Sequence, residues 1–175
     1  GLYVDAIFGA GLARPLDGAV LDVISRISET DIPCIAVDIP SGIHGDTGMV
    51  LGGAAPADLT VTFFRRKPGH LLMPGRSRSG EVVIMDIGIP ANVLEEIAPQ
   101  TFVNTPDLWL SHFPWPRAED HKYTRGHAVI AGGSSMTGAG RLASWASRRV
   151  GAGLVTVAAS PEVLHVYSAD APGLL

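Results

Sequence analysis

The chain has 175 residues, 46% of them hydrophobic and 17% charged, with a mean hydropathy of +0.26; this length is enough for a buried core, and the composition excludes a disordered segment. Thirteen basic against seventeen acidic residues leave a net charge of −4, the wrong sign for a domain that grips nucleic acid by its phosphates, so no nucleic-acid partner is expected. No apolar stretch approaches the roughly 18–20 residues of a membrane span, so no membrane partner is expected either.

Residues 2–8 (LYVDAIF) form a β-rich run stopped by Gly9 and Gly11. Apolar residues at 20, 21, 23, 24 and 27 then give the period of a helix over 18–28. Residues 34–37 (CIAV), introduced by Pro33, read as a buried parallel strand that ends at Asp38. Together residues 2–38 predict a βαβ unit. A long glycine-rich loop over 39–56 follows, then strands at 59–64, with threonines at 60 and 62, and at 81–87. Strands separated by helices or long crossovers predict an α/β fold with a parallel sheet.

From 88 to 125 the periodicity fades, and prolines at 90, 99, 106, 114 and 116 accompany Trp109 and Trp115. This predicts a division into residues 1–90, a Pro-rich linker at 91–125 and a second domain at 126–175. In the second domain the grammar restarts. A strand at 127–131 is followed by a Gly/Ser loop and a helix with Ala139, Leu142, Ala143, Ala146 and Val150 on one face, and Arg141, Arg148 and Arg149 on the other. A strand at 154–158 and a helix at 161–169 complete it. So few elements leave Val129, Leu142, Val150 and Val155 without an obvious cover, which predicts association and a homo-oligomer. The single cysteine, Cys34, allows no intrachain disulfide and suits a reducing, cytoplasmic setting. The absence of an initiator methionine and the opening inside a strand suggest an excised fragment.

Ligands of parallel α/β sheets gather at the carboxyl ends of the strands. The first such loop, Gly9, Ala10, Gly11, Leu12, Ala13, Arg14 and Pro15, lies between strand and helix, where backbone N–H groups could hold a phosphate. The dinucleotide fingerprint would need glycine where Arg14 stands, so the alternative is a plain tight turn. In the second loop, VDIPSGIHGDTG, Asp38 ends a strand and the Ile-Pro that follows places it poorly for capping a helix. It is a candidate acid/base. Asp5 is a carboxylate inside an apolar strand, costly to bury unless paired or bound to a cation. Oxygens from Asp5 and Ser41 would suit a hard cation. The six histidines have no zinc-ligand spacing, and the Arg65, Arg66, Lys67 run reads either as a solvated surface or as a steering patch for a phosphate-rich ligand.

The succession DAIFGAGLARPL, AVDIPSGIHGDTG and ADLTVTFFRRKPGHLLMPGRSRSGEVVIMDIGIP closely resembles the carboxyl-terminal half of NAD(P)H-hydrate epimerases. The run HKYTRGHAVIAGGSSMTGAGRLASWASRRVGAGLVTVAA resembles the start of ADP- or ATP-dependent NAD(P)H-hydrate dehydratases. The order is that of bifunctional nicotinamide-nucleotide repair enzymes. The resemblance implies an incomplete Rossmann-like epimerase domain followed by the first βαβ portion of a ribokinase-like domain. Its implied activity is metabolite repair, in which hydrated NADH or NADPH is epimerised at C6 of the ring by an isomerase. A lyase then dehydrates one epimer with ADP or ATP and Mg²⁺. Position by position it makes Asp5 and Ser41 potassium (K⁺) ligands, the 9–15 loop the contact to the hydrated dinucleotide, Asp38 the substrate-binding acid/base and Ala139 a further substrate contact. It also implies an Asn/Gly motif upstream of Gly1 and a nucleotide loop downstream of Leu175, so that the chain by itself would lack dehydratase activity. Two rivals from other classes are a non-catalytic nucleotide-binding scaffold and an NAD(P)-dependent oxidoreductase.

Overall fold

The computed structural model describes residues 1–170; the chain divides into two units, Gly1–Thr101 and the remainder from Phe102 onward. Residues 171–175, the end of the second predicted domain, lie outside the described residues.

The first unit runs β1 (Tyr3–Asp5), α1 (Gly18–Ser28), β2 (Cys34–Val37), β3 (Leu59–Phe63), β4 (Glu81–Met85) and a short α2 (Val93–Ile97). The four strands pair in sequence order, all parallel, which confirms the predicted α/β class. Register sets Asp5 beside Ala36 and Ala36 beside Thr60, so these residues share one face. Along α1, Ile24 and Ile27 stack on that face with Cys34, Leu12, Leu16 and Ala55. Each large apolar side chain so buried contributes about 1.5–3 kcal/mol. On the opposite face, Val4 and Met85 remain 61% and 50% exposed.

Two strands are shorter than their apolar runs. β1 stops at Asp5 because the Ile7 and Phe8 N–H groups turn to side-chain oxygens of Asp5 and Ser41 rather than to a ladder. β3 stops at Phe63, since Phe64 adopts a left-handed φ of 62°. The 39–56 loop is core in its own right: Ile39, Ser41 and Ile43 are buried, and an antiparallel bridge joins Ile43 to Val50. Gly42 makes this packing possible. Its φ is 92°, and a Cβ there would sit 1.7 Å from the Gly53 carbonyl oxygen.

The second unit contains α3 (Pro106–Trp109), β5 (His127–Ala131), α4 (Gly138–Val150), β6 (Leu154–Ala158) and α5 (Leu164–Asp170). β5 and β6 pair in parallel along five residues. The predicted helix at 161–169 splits into a 3₁₀ turn at Pro161–Val163 and α5. The predicted apolar face of α4 is not the packed one: Gly140 and Ser144 are buried, whereas Leu142 and Val150 are 73% and 68% exposed. Small residues win because they let the helix backbone approach the ring of Tyr167, and a Cβ on Gly140 would lie 2.6 Å from the Tyr167 hydroxyl. Val129 is uncovered as expected, but Val155 is not. It is buried at 1% exposure, on the same face of β6 as Val157, which packs on Val163 and Tyr167. No helix among the described residues is long and apolar enough to cross a membrane.

Candidate active site

β2 delivers its chain to Asp38 at the carboxyl end of the sheet. There the backbone turns to a left-handed φ of 70°, a region in which aspartate is better tolerated than most residues. The Asp38 N–H still donates to the Val61 carbonyl at 2.7 Å, so the turn is anchored to β3. Asp38 Oδ2 accepts the Ala10 N–H at 3.1 Å. Asp38 Oδ1 accepts the Thr62 hydroxyl at 3.1 Å and forms an ion pair with the Lys67 ammonium, which also donates to Thr62 Oγ1 at 2.9 Å.

Below this pair, His70 Nε2–H donates to the Asp38 carbonyl at 2.8 Å, and its Nδ1 accepts the Lys67 N–H at 3.0 Å. The imidazole is 2% exposed; burial above all holds its pKa below the ordinary 6.5, with the Lys67 charge pushing the same way. For Asp38, burial pushes upward. The hydrogen bonds from Lys67, Ala10 and Thr62 and the Lys67 charge outweigh it and hold the carboxyl below 3.8. The carboxylate is therefore ionised at neutral pH. It opens on a cavity of about 580 Å³ lined also by Phe63, Phe64, Lys67 and Ile89.

Asp5 and Ser41 meet one strand away. Asp5 Oδ1 accepts the Ser41 hydroxyl at 2.6 Å and Oδ2 accepts the Ser41 N–H at 2.7 Å, while Ser41 Oγ accepts the Phe8 N–H at 3.0 Å. Both residues are almost fully buried. Among the described residues no cationic side chain pairs with Asp5, so its charge is met by neutral donors alone.

The 9–15 loop is held from two sides: Ala10 through its N–H on Asp38, and Leu12 through a side chain that belongs to the core. The Ala10 amide is thus engaged with protein, and Gly9, Gly11, Ala13, Arg14 and Pro15 form the exposed part of the loop. Gly9 lies against the carboxylate, since a Cβ there would be 3.1 Å from Asp38 Oδ2. Ala139, exposed in the first turn of α4, belongs to the second unit. The basic run divides: Arg65 and Arg66 are exposed, Arg65 lying over the Phe64 ring, whereas Lys67 turns inward. Sequence reasoning left out Thr62 and His70, and weighed Lys67 only as part of a solvated or steering cationic run. The one available signal was the alternation of Thr60 and Thr62, which puts two hydroxyls on a single face of a strand.

Residues 1–69 match the family described as YjeF-related protein N-terminus. The chain is 38% identical over 172 residues, 98% of its length and 32% of the relative's, to a bifunctional NAD(P)H-hydrate repair enzyme Nnr of Thermofilum pendens. It is 37% identical over 179 residues, 99% of its length and 36% of the relative's, to the protein of that name in Coxiella burnetii. An NAD(P)H-hydrate epimerase of Limosilactobacillus fermentum is 47% identical over 85 residues, 49% of this chain and 41% of that one. The chain spans about a third of the length of the bifunctional relatives it matches. Asp5, Asp38, Ser41 and Lys67 all fall inside the matched 1–69 segment. Residues 1–69 are thus similar to the YjeF-related N-terminal family, and nearly the whole chain is similar to about a third of the bifunctional NAD(P)H-hydrate repair enzymes.

Proposed function

We propose that the first unit works in an NAD(P)H-hydrate epimerase, an isomerase that interconverts the R and S forms of hydrated NADH and NADPH, with Asp38 as the acid/base. The observation that carries this reading is the ionised Asp38 carboxylate, fixed at a strand end between the glycine loop and Lys67 and open to a cavity. Epimerisation at a carbon bearing a hydroxyl requires that the hydroxyl leave or exchange with proton transfer. A carboxylate beside that carbon can take up the proton and return it. The 9–15 loop would lie along the dinucleotide, with Gly9 giving the substrate access to Oδ2.

The all-oxygen donor set of Asp5 and Ser41, with a buried carboxylate that lacks a cationic partner among the described residues, fits a K⁺ ion. When bound, the ion would neutralise Asp5. It would also brace the loop carrying Asp38. Segment 126–175, read as the start of a dehydratase domain, would contact hydrated NAD(P)H through Ala139. Among the described residues no group of three or more His, Cys, Asp or Glu side chains converges to hold a metal. The loop from Gly132 to Thr137 carries no carboxylate. These residues do not fit a Mg²⁺–ADP or Mg²⁺–ATP site, so no part of the dehydration is assigned to them. The test is Asp38→Asn in the natural gene product, which keeps the shape and removes the base. Epimerisation followed by NMR should slow by roughly 10²-fold or more, and an unchanged rate would refute the assignment.

A further inference from the structure

We propose that Lys67 is a second catalytic group of this site, the general acid that protonates the departing hydroxyl while Asp38 serves as the base. The inference rests on the epimerase reading above and divides its acid/base work between two residues. Asp38 alone is poorly suited to give a proton. Its two oxygens already receive Thr62, Lys67 and Ala10, and a carboxyl held below its ordinary pKa carries no proton at neutral pH. An ammonium does carry one, and Lys67 lines the same cavity as Asp38, its side chain 25% exposed. Two of its hydrogens are committed, to Asp38 Oδ1 and Thr62 Oγ1. The third reaches only the Phe63 carbonyl at 3.4 Å, a long contact that a substrate oxygen can replace.

The chemistry balances without a redox partner. The Lys67 ammonium gives its proton to the C6 hydroxyl as the C6–O bond breaks, and the ring-nitrogen lone pair forms the C6=N iminium as water leaves. Water then adds to the opposite face of C6, and its proton passes through Asp38 to the Lys67 amine, restoring the starting state with the hydroxyl inverted. Neutral His70 fixes both members from beneath, holding the Asp38 carbonyl and the Lys67 amide. Arg65 and Arg66, on the adjoining positions of its own loop, line the same cavity. Both are exposed, and neither reaches Asp38.

The experiment compares Lys67→Arg and Lys67→Cys in the natural gene product, the latter before and after aminoethylation, with the unmutated protein carried through the same alkylation. Arginine keeps the positive charge but does not release a proton at usable pH. Lys67→Arg should therefore lower kcat by roughly 10²-fold or more with KM little changed. Aminoethylation of Lys67→Cys should restore at least a tenth of the wild-type rate. Because its thioether amine is less basic than lysine, it should also shift the alkaline limb of the pH–rate profile to lower pH. Wild-type turnover by Lys67→Arg, or a restored rate whose alkaline limb has not moved, would overturn the proposal. A variant that does not fold is diagnosed by circular dichroism, and the aminoethylated protein then decides alone. If Asp38→Asn is slow while Lys67→Arg is not, the division of labour fails and the epimerase reading stands; if both are fast, the reading itself fails.

Discussion

His70 makes two hydrogen bonds that depend on a neutral ring, one accepted at Nδ1 and one donated from Nε2. Its pKa is held below 6.5 in the folded protein, chiefly by burial, so the unfolded chain binds this proton at a higher pH than the native one. Stability from His70 is thus complete above about pH 6.5 and declines as pH falls below that value toward the folded pKa, by at most about 1.4 kcal/mol per pH unit. Asp38 adds a second loss that begins only below 3.8. The melting temperature should fall between pH 6.5 and 5, and His70→Gln should flatten that slope while lowering the plateau. Asp5 supports another test at this scale. K⁺ should raise the melting temperature, by about 2.7 kcal/mol of stability at a hundredfold excess over Kd, and Asp5→Asn or Ser41→Ala should abolish the rise where a bulky organic cation has no effect. Asp5, Asp38 and Ser41 were legible because a carboxylate in an apolar run and one at a strand's end are both conspicuous. Lys67 was not, because nothing in a run of three cations says which will turn inward. That choice is made by the 3₁₀ turn at Pro68–His70 and by the bond from the Lys67 amide to the imidazole.

At the scale of elements, α4 shows how an apolar period can point away from the packed face. Hydrophobic spacing found the helix without fixing its ends, yet close approach to Tyr167 decided its rotation, and Gly140 and Ser144 are invisible to a pattern built on apolar residues. The Tyr167 hydroxyl is buried and has no hydrogen-bond partner among the described residues. An unsatisfied buried hydroxyl costs about 1–3 kcal/mol, so Tyr167→Phe should raise the melting temperature. Gly140→Ala places a Cβ 2.6 Å from that hydroxyl and should destabilise by about 1–3 kcal/mol despite alanine's better helix propensity. In the Tyr167→Phe background the loss should shrink, and a thermal-melt double-mutant cycle that is strictly additive would contradict the packing described.

For the whole molecule, what stands out is apolar surface with nothing on it. A parallel sheet is ordinarily covered on both faces, yet Val4 and Met85 on the open face of the first sheet are 61% and 50% exposed, and Val129, Leu142 and Val150 in the second unit are at least 67% exposed. We therefore expect this 175-residue chain to associate with itself at micromolar concentration in light scattering, and a concentration-independent monomer would refute the expectation. The parallel sense was within reach of the sequence because each apolar run is short and separated by a crossover. The burial of the 39–56 loop was not, since it depends on backbone passing backbone at Gly42, a contact with no side chain to announce it.

Cys34 gives the first sheet a clock. Its thiol is 2% exposed, and burial, with Asp5 and Asp58 adding to it, lifts its pKa above the ordinary value, so a reagent that needs accessible thiolate meets neither condition in the native state. Its backbone is clasped by Asp58, through the carboxylate on the Cys34 N–H at 2.8 Å and the Asp58 N–H on the Cys34 carbonyl at 2.9 Å. Covalent labelling must therefore wait for β2 to leave its neighbours, and β2 is the strand whose next residue is Asp38. The interval before modification is the lifetime of the intact site, recorded by a residue that has no part in its chemistry.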